Sequence, residues 1–152
     1  MLDLQIQVED AILANLLYSE TAREVAKEMD LQPKHFTDFH LTRSTRARFF
    51  KAIMAAPETG YIAVALQLEK MGEYQEHDTH RLLDLATLAL SVTPDWNRQI
   101  EYIKKAWLDR EIERMHKAGD YDGIASLLAG TNNYNSIYKG SVTKDTGKPW
   151  DV

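Results

Sequence analysis

Cysteine is absent from this sequence of 152 residues, and its absence excludes several kinds of chemistry. Without thiols the chain can form no disulfide, no zinc-thiolate site and no cysteine nucleophile. Disulfides are rare in reducing compartments, so a chain without cysteine is consistent with a cytoplasmic protein. Long apolar runs are missing as well, and the start MLDLQIQVED has no basic region followed by an apolar one. We therefore expect a cytoplasmic chain with no membrane contact.

An excess of positive charge is also lacking. Lys and Arg number 18 against 23 Asp and Glu, which gives a formal net charge of -5. Domains that grip phosphate backbones draw their affinity from a basic surface, so we expect little direct DNA binding. One possible basic patch falls in a single predicted helix: Arg43, Arg46, Arg48 and Lys51. A solvated helix face is the preferred interpretation, and contact with nucleic acid or an acidic partner is the alternative.

Signals for catalysis are scarce. The sequence GSVTKDTGK at 140–148 departs from a phosphate-binding loop, because Val142 stands where the first Gly is needed and Pro149 follows Lys148. His77 and His80 have acidic neighbours, but their surroundings are typical of an exposed loop rather than of a metal site. No nucleophile motif or acid/base pair of carboxylates is recognisable. We expect no catalytic residue, no cofactor and no bound metal.

Helical periodicity predicts a compact body over residues 1–92. Five helices are expected, at about 8–18, 22–29, 42–56, 61–71 and 78–90. Thr21 and Glu24 have the spacing of a capping box for the second helix, and Phe36 and Phe39 are expected to pin the loop before the third. The fifth helix is apolar nearly all round, which predicts a place at the centre of the core.

A longer helix is predicted at 93–118. Thr93 would be its N-cap, with Pro94 in the first turn and Asp95 near the positive end of the dipole. Gly119 would end it, and Asp120 would cap a shorter return helix at 121–129 that Gly130 stops. Residues 93–130 would thus form a helical hairpin of the same domain. Residues 131–152 are rich in Asn, Thr, Ser, Gly and Lys, which predicts a flexible linker or tail.

Trp96 and Trp107 lie eleven residues apart on one face of the long helix. They could cover the core of the body, or they could belong to a self-association or partner surface, where Trp is over-represented. The residues predicted to form this surface are Trp96, Ile100, Ile103, Trp107, Leu108, Ile112, Ile124, Leu127 and Leu128.

Four stretches of the sequence resemble parts of one protein family. The first, VEDAILANLLYSETAREVAKEMDLQPKHFTDFHLTRSTRARFFKAI, is similar to the start of the N-terminal domain of DnaB-type replicative helicases. AVALQLEKMG is similar to its helix with a Leu-x-x-x-Gly turn, LLDLATLA to its central apolar helix, and TPDWNRQIEYIKKAWLDREIERM to its long helix. The resemblance covers about residues 8–115. The short return helix and the loop after Phe36 depart from the family pattern.

The resemblance implies an all-α fold, a helical body followed by a hairpin, and a non-catalytic role in DNA replication. Such a domain pairs with neighbouring subunits into a collar above the ATPase ring and recruits primase or a helicase loader. The expected partners are therefore a second copy of the chain and a primase or loader. The sequence lacks the motor domain, so it is compatible with a fragment of an ATP-dependent helicase. The alternatives are the helicase-binding domain of a DnaG-type primase, a small replication adaptor such as a phage could encode, and a DNA-binding helical module.

Overall fold

The computed structural model describes the backbone of residues 2–139 and the side chains of residues 3–130. These residues form seven α-helices and no strand, so the predicted all-α class is confirmed for the described part of the chain. The helices are α1 (Leu2–Tyr18), α2 (Glu20–Glu28), α3 (Arg46–Ala55), α4 (Tyr61–Lys70), α5 (Asp78–Leu88), α6 (Trp96–Ala118) and α7 (Tyr121–Lys139), with a 3₁₀ turn at Pro33–His35.

Internal contacts divide the chain into two compact units, the first ending at Leu108 and the second beginning at Asp109. The division falls inside α6. From the sequence we expected a boundary after residue 92 and a tail beginning at residue 131. Both of these domain assignments stay predictions.

The first unit is built around α1, which packs against α2, α3 and α5. Ile12, Leu13, Leu16 and Leu17 have no solvent exposure, so α1 turns apolar side chains toward several neighbours at once. The sequence predicted this central position for α5, and that prediction is wrong. In α5 only Leu82 and Leu85 are buried among its apolar residues.

Two helices, α2 and α6, start differently from their prediction. Ser19, not Thr21, is the N-cap of α2, and its hydroxyl accepts the N–H of Ala22 at 3.0 Å. The long helix α6 begins at Trp96, and the carbonyl of Asp95 accepts the first helical hydrogen bond, so Thr93 is not its N-cap. The Thr93 carbonyl instead accepts the side-chain amide of Asn15 in α1 at 3.1 Å.

The loop before α3 is fixed by one aromatic residue and one carboxylate. Phe36 is buried against Phe50, with 5.1 Å between ring centroids, whereas Phe39 is exposed and does not pin the loop. Asp38 accepts the backbone N–H groups of Thr45, Arg46 and Ala47 at 2.8 to 3.0 Å. A carboxylate from seven residues upstream thus satisfies the open donors at the start of α3.

Glycines end α4 and α6 as predicted. Gly72 and Gly119 have φ values of +72° and +73°, a left-handed conformation that glycine adopts without steric cost. In the second unit Asp120 caps α7, since its carboxylate accepts the N–H of Gly123 at 2.9 Å. The predicted stop at Gly130 is wrong, because α7 continues to Lys139. The rest of the predicted tail lies outside the described residues.

Candidate interaction surfaces

The four cations of the predicted basic patch do not form a basic surface. Arg43 is exposed and precedes α3, so it does not share the helix with the other three. Arg46 holds Asp10 through two hydrogen bonds of 2.8 and 3.3 Å, and Lys51 contacts Glu73 at 3.1 Å. A phosphate group would have to compete with these carboxylates.

The carboxylates around Arg46 change the pKa of its guanidinium. Burial by itself would lower the pKa of Arg46, but the hydrogen bond to Asp10 and the charges of Asp10, Glu9 and Asp38 together raise the pKa above its ordinary value. The positive charge of Arg46 is therefore stabilised by the carboxylates of Asp10, Glu9 and Asp38.

Arg48 is buried with Asp78, which contradicts the interpretation of this side chain as part of a solvated helix face. The pair shares two hydrogen bonds of 2.5 and 3.0 Å, and Arg48 also donates to the carbonyls of Ser44 and Glu73. Asp78 in turn accepts the N–H of Gln75 at 2.7 Å. The pair joins α3, the loop before α5 and α5 itself, so its role is structural.

Two further cations are held by backbone carbonyls. Arg23 donates to the carbonyls of Leu16 and Ala56 at 2.8 and 3.3 Å, and Lys104 donates to that of Met29 at 2.5 Å. Burial lowers the pKa of both side chains, partly offset by Glu20 for Arg23 and by Asp30 for Lys104. These cations fasten loops and helices of the first unit.

The predicted interaction residues on the first part of α6 face the first unit. Ile100 and Ile103 are buried there, so no partner can reach them. Trp107 is half-buried, with its ring edge-on to His35 at 5.0 Å and the Lys34 ammonium 4.8 Å from its centroid. Trp96 is also half-buried. For these four residues the geometry favours the core-covering interpretation.

The remaining predicted interaction residues are only partly covered. Leu108, at the end of the first unit, is half-buried. In the second unit Ile112, Ile124 and Leu127 are half-buried, and Leu128 is 40% exposed. Within the side chains described from residue 109 onward, none is fully buried. Over residues 109–130 this unit therefore has partly covered apolar side chains but no fully buried core residue.

The sequence and structure of the chain were compared with protein-family models, curated proteins and solved structures, and none of them matches it.

Sequence reasoning missed an apolar surface on α4 of the first unit. Ile62 and Leu66 are 62% and 60% exposed, while Val64 and Leu68 on the opposite face are fully buried. The signal was in the sequence, since positions 62/66 and 64/68 lie on opposite faces of a ten-residue helix, and a helix that packs on one side only leaves one of the two pairs exposed. Tyr74 lies beside the exposed pair and lines the same groove.

A second groove, of about 400 Å³, also has Tyr74 in its lining. Exposed Phe39 and Leu41 line it together with the ion pair of Lys51 and Glu73. The charged side chains that line it, Arg48, Lys51 and Glu73, each take part in an ion pair, although Oε1 of Glu73 is buried without a hydrogen-bond partner.

The described residues give no sign of a metal centre or of a membrane span. Among the side chains of residues 3–130, no group of three or more His, Asp or Glu is placed to hold a metal ion, and His77 is exposed beside Glu76 at 3.6 Å. None of the helices over residues 2–139 has the length and apolar character needed to cross a bilayer.

Proposed function

We propose that this chain is a non-catalytic protein-interaction domain of the kind found at the N-terminus of DnaB-type replicative helicases. It assembles with further copies of itself through the second unit, and the assembly recruits primase or a helicase loader during DNA replication. The chain supplies contacts rather than chemistry, and direct contact with DNA is slight.

One observation carries the proposal: the second unit has two helical segments and no fully buried side chain among its described residues. Helices in proteins draw most of their stability from packing an apolar face, so a helical hairpin gains stability by burying an apolar stripe against something else. Ile112, Ile124, Leu127 and Leu128 provide such a stripe. A second copy would bring an identical stripe, so the two surfaces would be self-complementary around a two-fold axis.

The charge distribution of the structure also supports the proposal that this chain binds DNA only weakly. Arg46, Arg48 and Lys51 each have a carboxylate partner, and the chain carries a net charge of -5. Binding through phosphates needs cations that can release counterions, and only Arg43 of the former patch is exposed without an ion pair in the described part of the chain.

The test is the molar mass by light scattering during size exclusion, over a wide range of loading concentrations. We expect a mass that rises from 17.4 kDa toward at least twice that value as the concentration increases. Leu128→Asp should weaken association by roughly 2 kcal/mol, about a 30-fold rise in the dimer Kd, because it places a charge in the stripe.

Leu83→Asp is the matched control, since Leu83 is 44% exposed on α5 of the first unit and the same change there should leave the mass unchanged. A monomer at every concentration would contradict self-assembly. It would favour the alternative in which the chain resembles the helicase-binding domain of a DnaG-type primase, or a replication adaptor, whose second unit meets a different protein.

A further inference from the structure

The exposed face of α4 carries a short linear pattern of two apolar residues and one acid. Ile62, Leu66 and Glu69 follow each other at spacings of four and three, which places all three on one line along the helix. The opposite line, Val64 and Leu68, is buried against α3 and α5 and fixes the helix in place. The exposed line is thus presented by a rigid element.

Tyr74 turns this line into a groove. Its hydroxyl is 2.6 Å from the hydroxyl of Thr79, a hydrogen bond that orients the ring as a side wall. The groove has a volume of about 280 Å³ and is lined by α4, Tyr74 and Thr79. That volume is below the roughly 300 to 1,000 Å³ typical of small-molecule sites, but it suits one or two aliphatic side chains of a partner.

The charge at the groove selects among partners. Among the described residues that line it, Glu69 alone is charged, and Glu69 makes no ion pair within the described part of the chain. An acidic side chain at the end of an apolar line favours a partner with a cation next to its apolar side chains and disfavours an acidic partner.

We propose that the groove between α4 and Tyr74 binds one basic amphipathic helix of a partner protein. Two apolar side chains of that helix, one turn apart, cover Ile62 and Leu66, and a Lys or Arg one turn further meets Glu69. This is the helix-in-groove mode of recognition, in which anchors at helical spacing supply the affinity. The surface belongs to the first unit, so the inference does not depend on self-association through the second.

The test is a selection from a displayed library of 16-residue helical peptides with the full chain as bait. Enriched peptides should carry an apolar pair at a spacing of three or four with Lys or Arg within the next turn. Binding of the best synthetic peptide, followed by fluorescence anisotropy, should weaken at least 10-fold for Leu66→Lys. Leu90→Lys is the control, since Leu90 is 88% exposed outside this groove and its replacement should have no effect.

A charge swap provides the second arm. Glu69→Lys should weaken the basic peptide about 5-fold or more and should improve binding of the same peptide with its cation replaced by Glu. Both sites are exposed, so circular dichroism should show unchanged folding. Enrichment of acidic peptides, equal binding by Leu66→Lys, or no enriched peptide would overturn the proposal. A lower light-scattering mass for Leu66→Lys would overturn it too, because the occupant would then be a second copy.

Discussion

Arg48 and Asp78 show how a charged residue can become part of a core. Both side chains are almost inaccessible to water, and each has further hydrogen bonds to backbone groups besides those within the pair. Bringing two charges out of water is costly, and the mutual attraction offsets that cost only when the geometry is good and the remaining donors are satisfied. Removing Arg48 leaves the Asp78 carboxylate buried, with only the longer 3.4 Å contact from half-exposed Arg81 to compensate its charge.

We therefore predict that Arg48→Met lowers the free energy of unfolding by roughly 3 to 5 kcal/mol. The measurement is urea denaturation followed by far-ultraviolet circular dichroism. Adding Asp78→Leu should recover most of the loss, because both buried charges are then gone. Arg43→Met, an exposed position on the same segment, should change stability by less than about 0.5 kcal/mol. Additive losses in the double variant would show that the two side chains are not coupled.

For single residues, the sequence alone could identify candidate cations but could not show whether each one is exposed or buried in an ion pair. Four cations close together in the sequence look alike, yet the carboxylate that buries Arg48 lies 30 positions away. The partner of Arg46 lies 36 positions away. Local patterning contains no signal for pairs at that distance, so a solvated face was the natural and incorrect interpretation for Arg48.

Among the helices, α7 is the one whose length departs most from its prediction. Glycine is a common stop signal when it follows a helix in the left-handed conformation, as Gly119 does with φ at +73°. Gly130 instead lies within α7, and apart from its chain neighbours and the helix's own backbone, no described atom lies within 4 Å of where a Cβ would be. The same residue type therefore has opposite roles at the two positions.

This contrast gives a paired prediction. Gly130→Ala should stabilise α7 by about 0.5 to 1 kcal/mol, because alanine loses less backbone entropy than glycine in a helix interior. Gly119→Ala should destabilise by about 1 kcal/mol, because its backbone conformation is unfavourable for a residue with a Cβ. Thermal and urea unfolding of the two variants measure both effects. If Gly130→Ala destabilised the chain, the helix would end near residue 130 after all.

Helix ends marked by glycine were predictable, and helix starts were less so. The ends of α4 and α6 were correct because Gly72 and Gly119 act locally. The start of α3 depends on Asp38, which lies outside the helix and is brought to it by the loop. The position of α5 was wrong for a related reason, since an apolar composition does not reveal which of several helices has neighbours on most of its sides.

The two units differ in how much of their surface is buried. The first has a core to which α1 and α3 alone contribute ten apolar side chains with almost no exposure: Ile12, Leu13, Ala14, Leu16, Leu17, Ala47, Phe49, Phe50, Ala52 and Ile53. The second has none among its described side chains. The units should therefore differ in local stability.

We predict that backbone amides of α7 exchange with solvent much faster than those of α1, and that protection in α7 rises with protein concentration. The physical reason is that α7 gains its burial from association, whereas α1 is covered within its own chain. Hydrogen exchange measured at two concentrations 100-fold apart is the experiment, and the amides of α1 serve as the internal control. Equal protection of α7 at both concentrations would contradict an association through the second unit.

For the whole molecule, the all-α class could be predicted because helical periodicity recurs along most of the chain. The resemblance to DnaB-type N-terminal domains rests on spaced apolar residues that many helical proteins share, and it stays a prediction. The exposed line on α4 was missed although Val64 and Leu68 were correctly predicted to face the core. That orientation places Ile62 and Leu66 on the opposite, solvent-facing side of the helix.

The central position of α1 has a consequence for synthesis on the ribosome. Its covering helices, α3 and α5, follow it in the chain, and α5 ends 70 residues after α1 does. At about 5 to 20 residues per second, the apolar faces of the nascent α1 wait roughly 4 to 14 s before their last partner has been made. During that interval the growing chain displays its most hydrophobic helix to the cell, which makes α1 the natural binding site for a chaperone acting at the ribosomal exit.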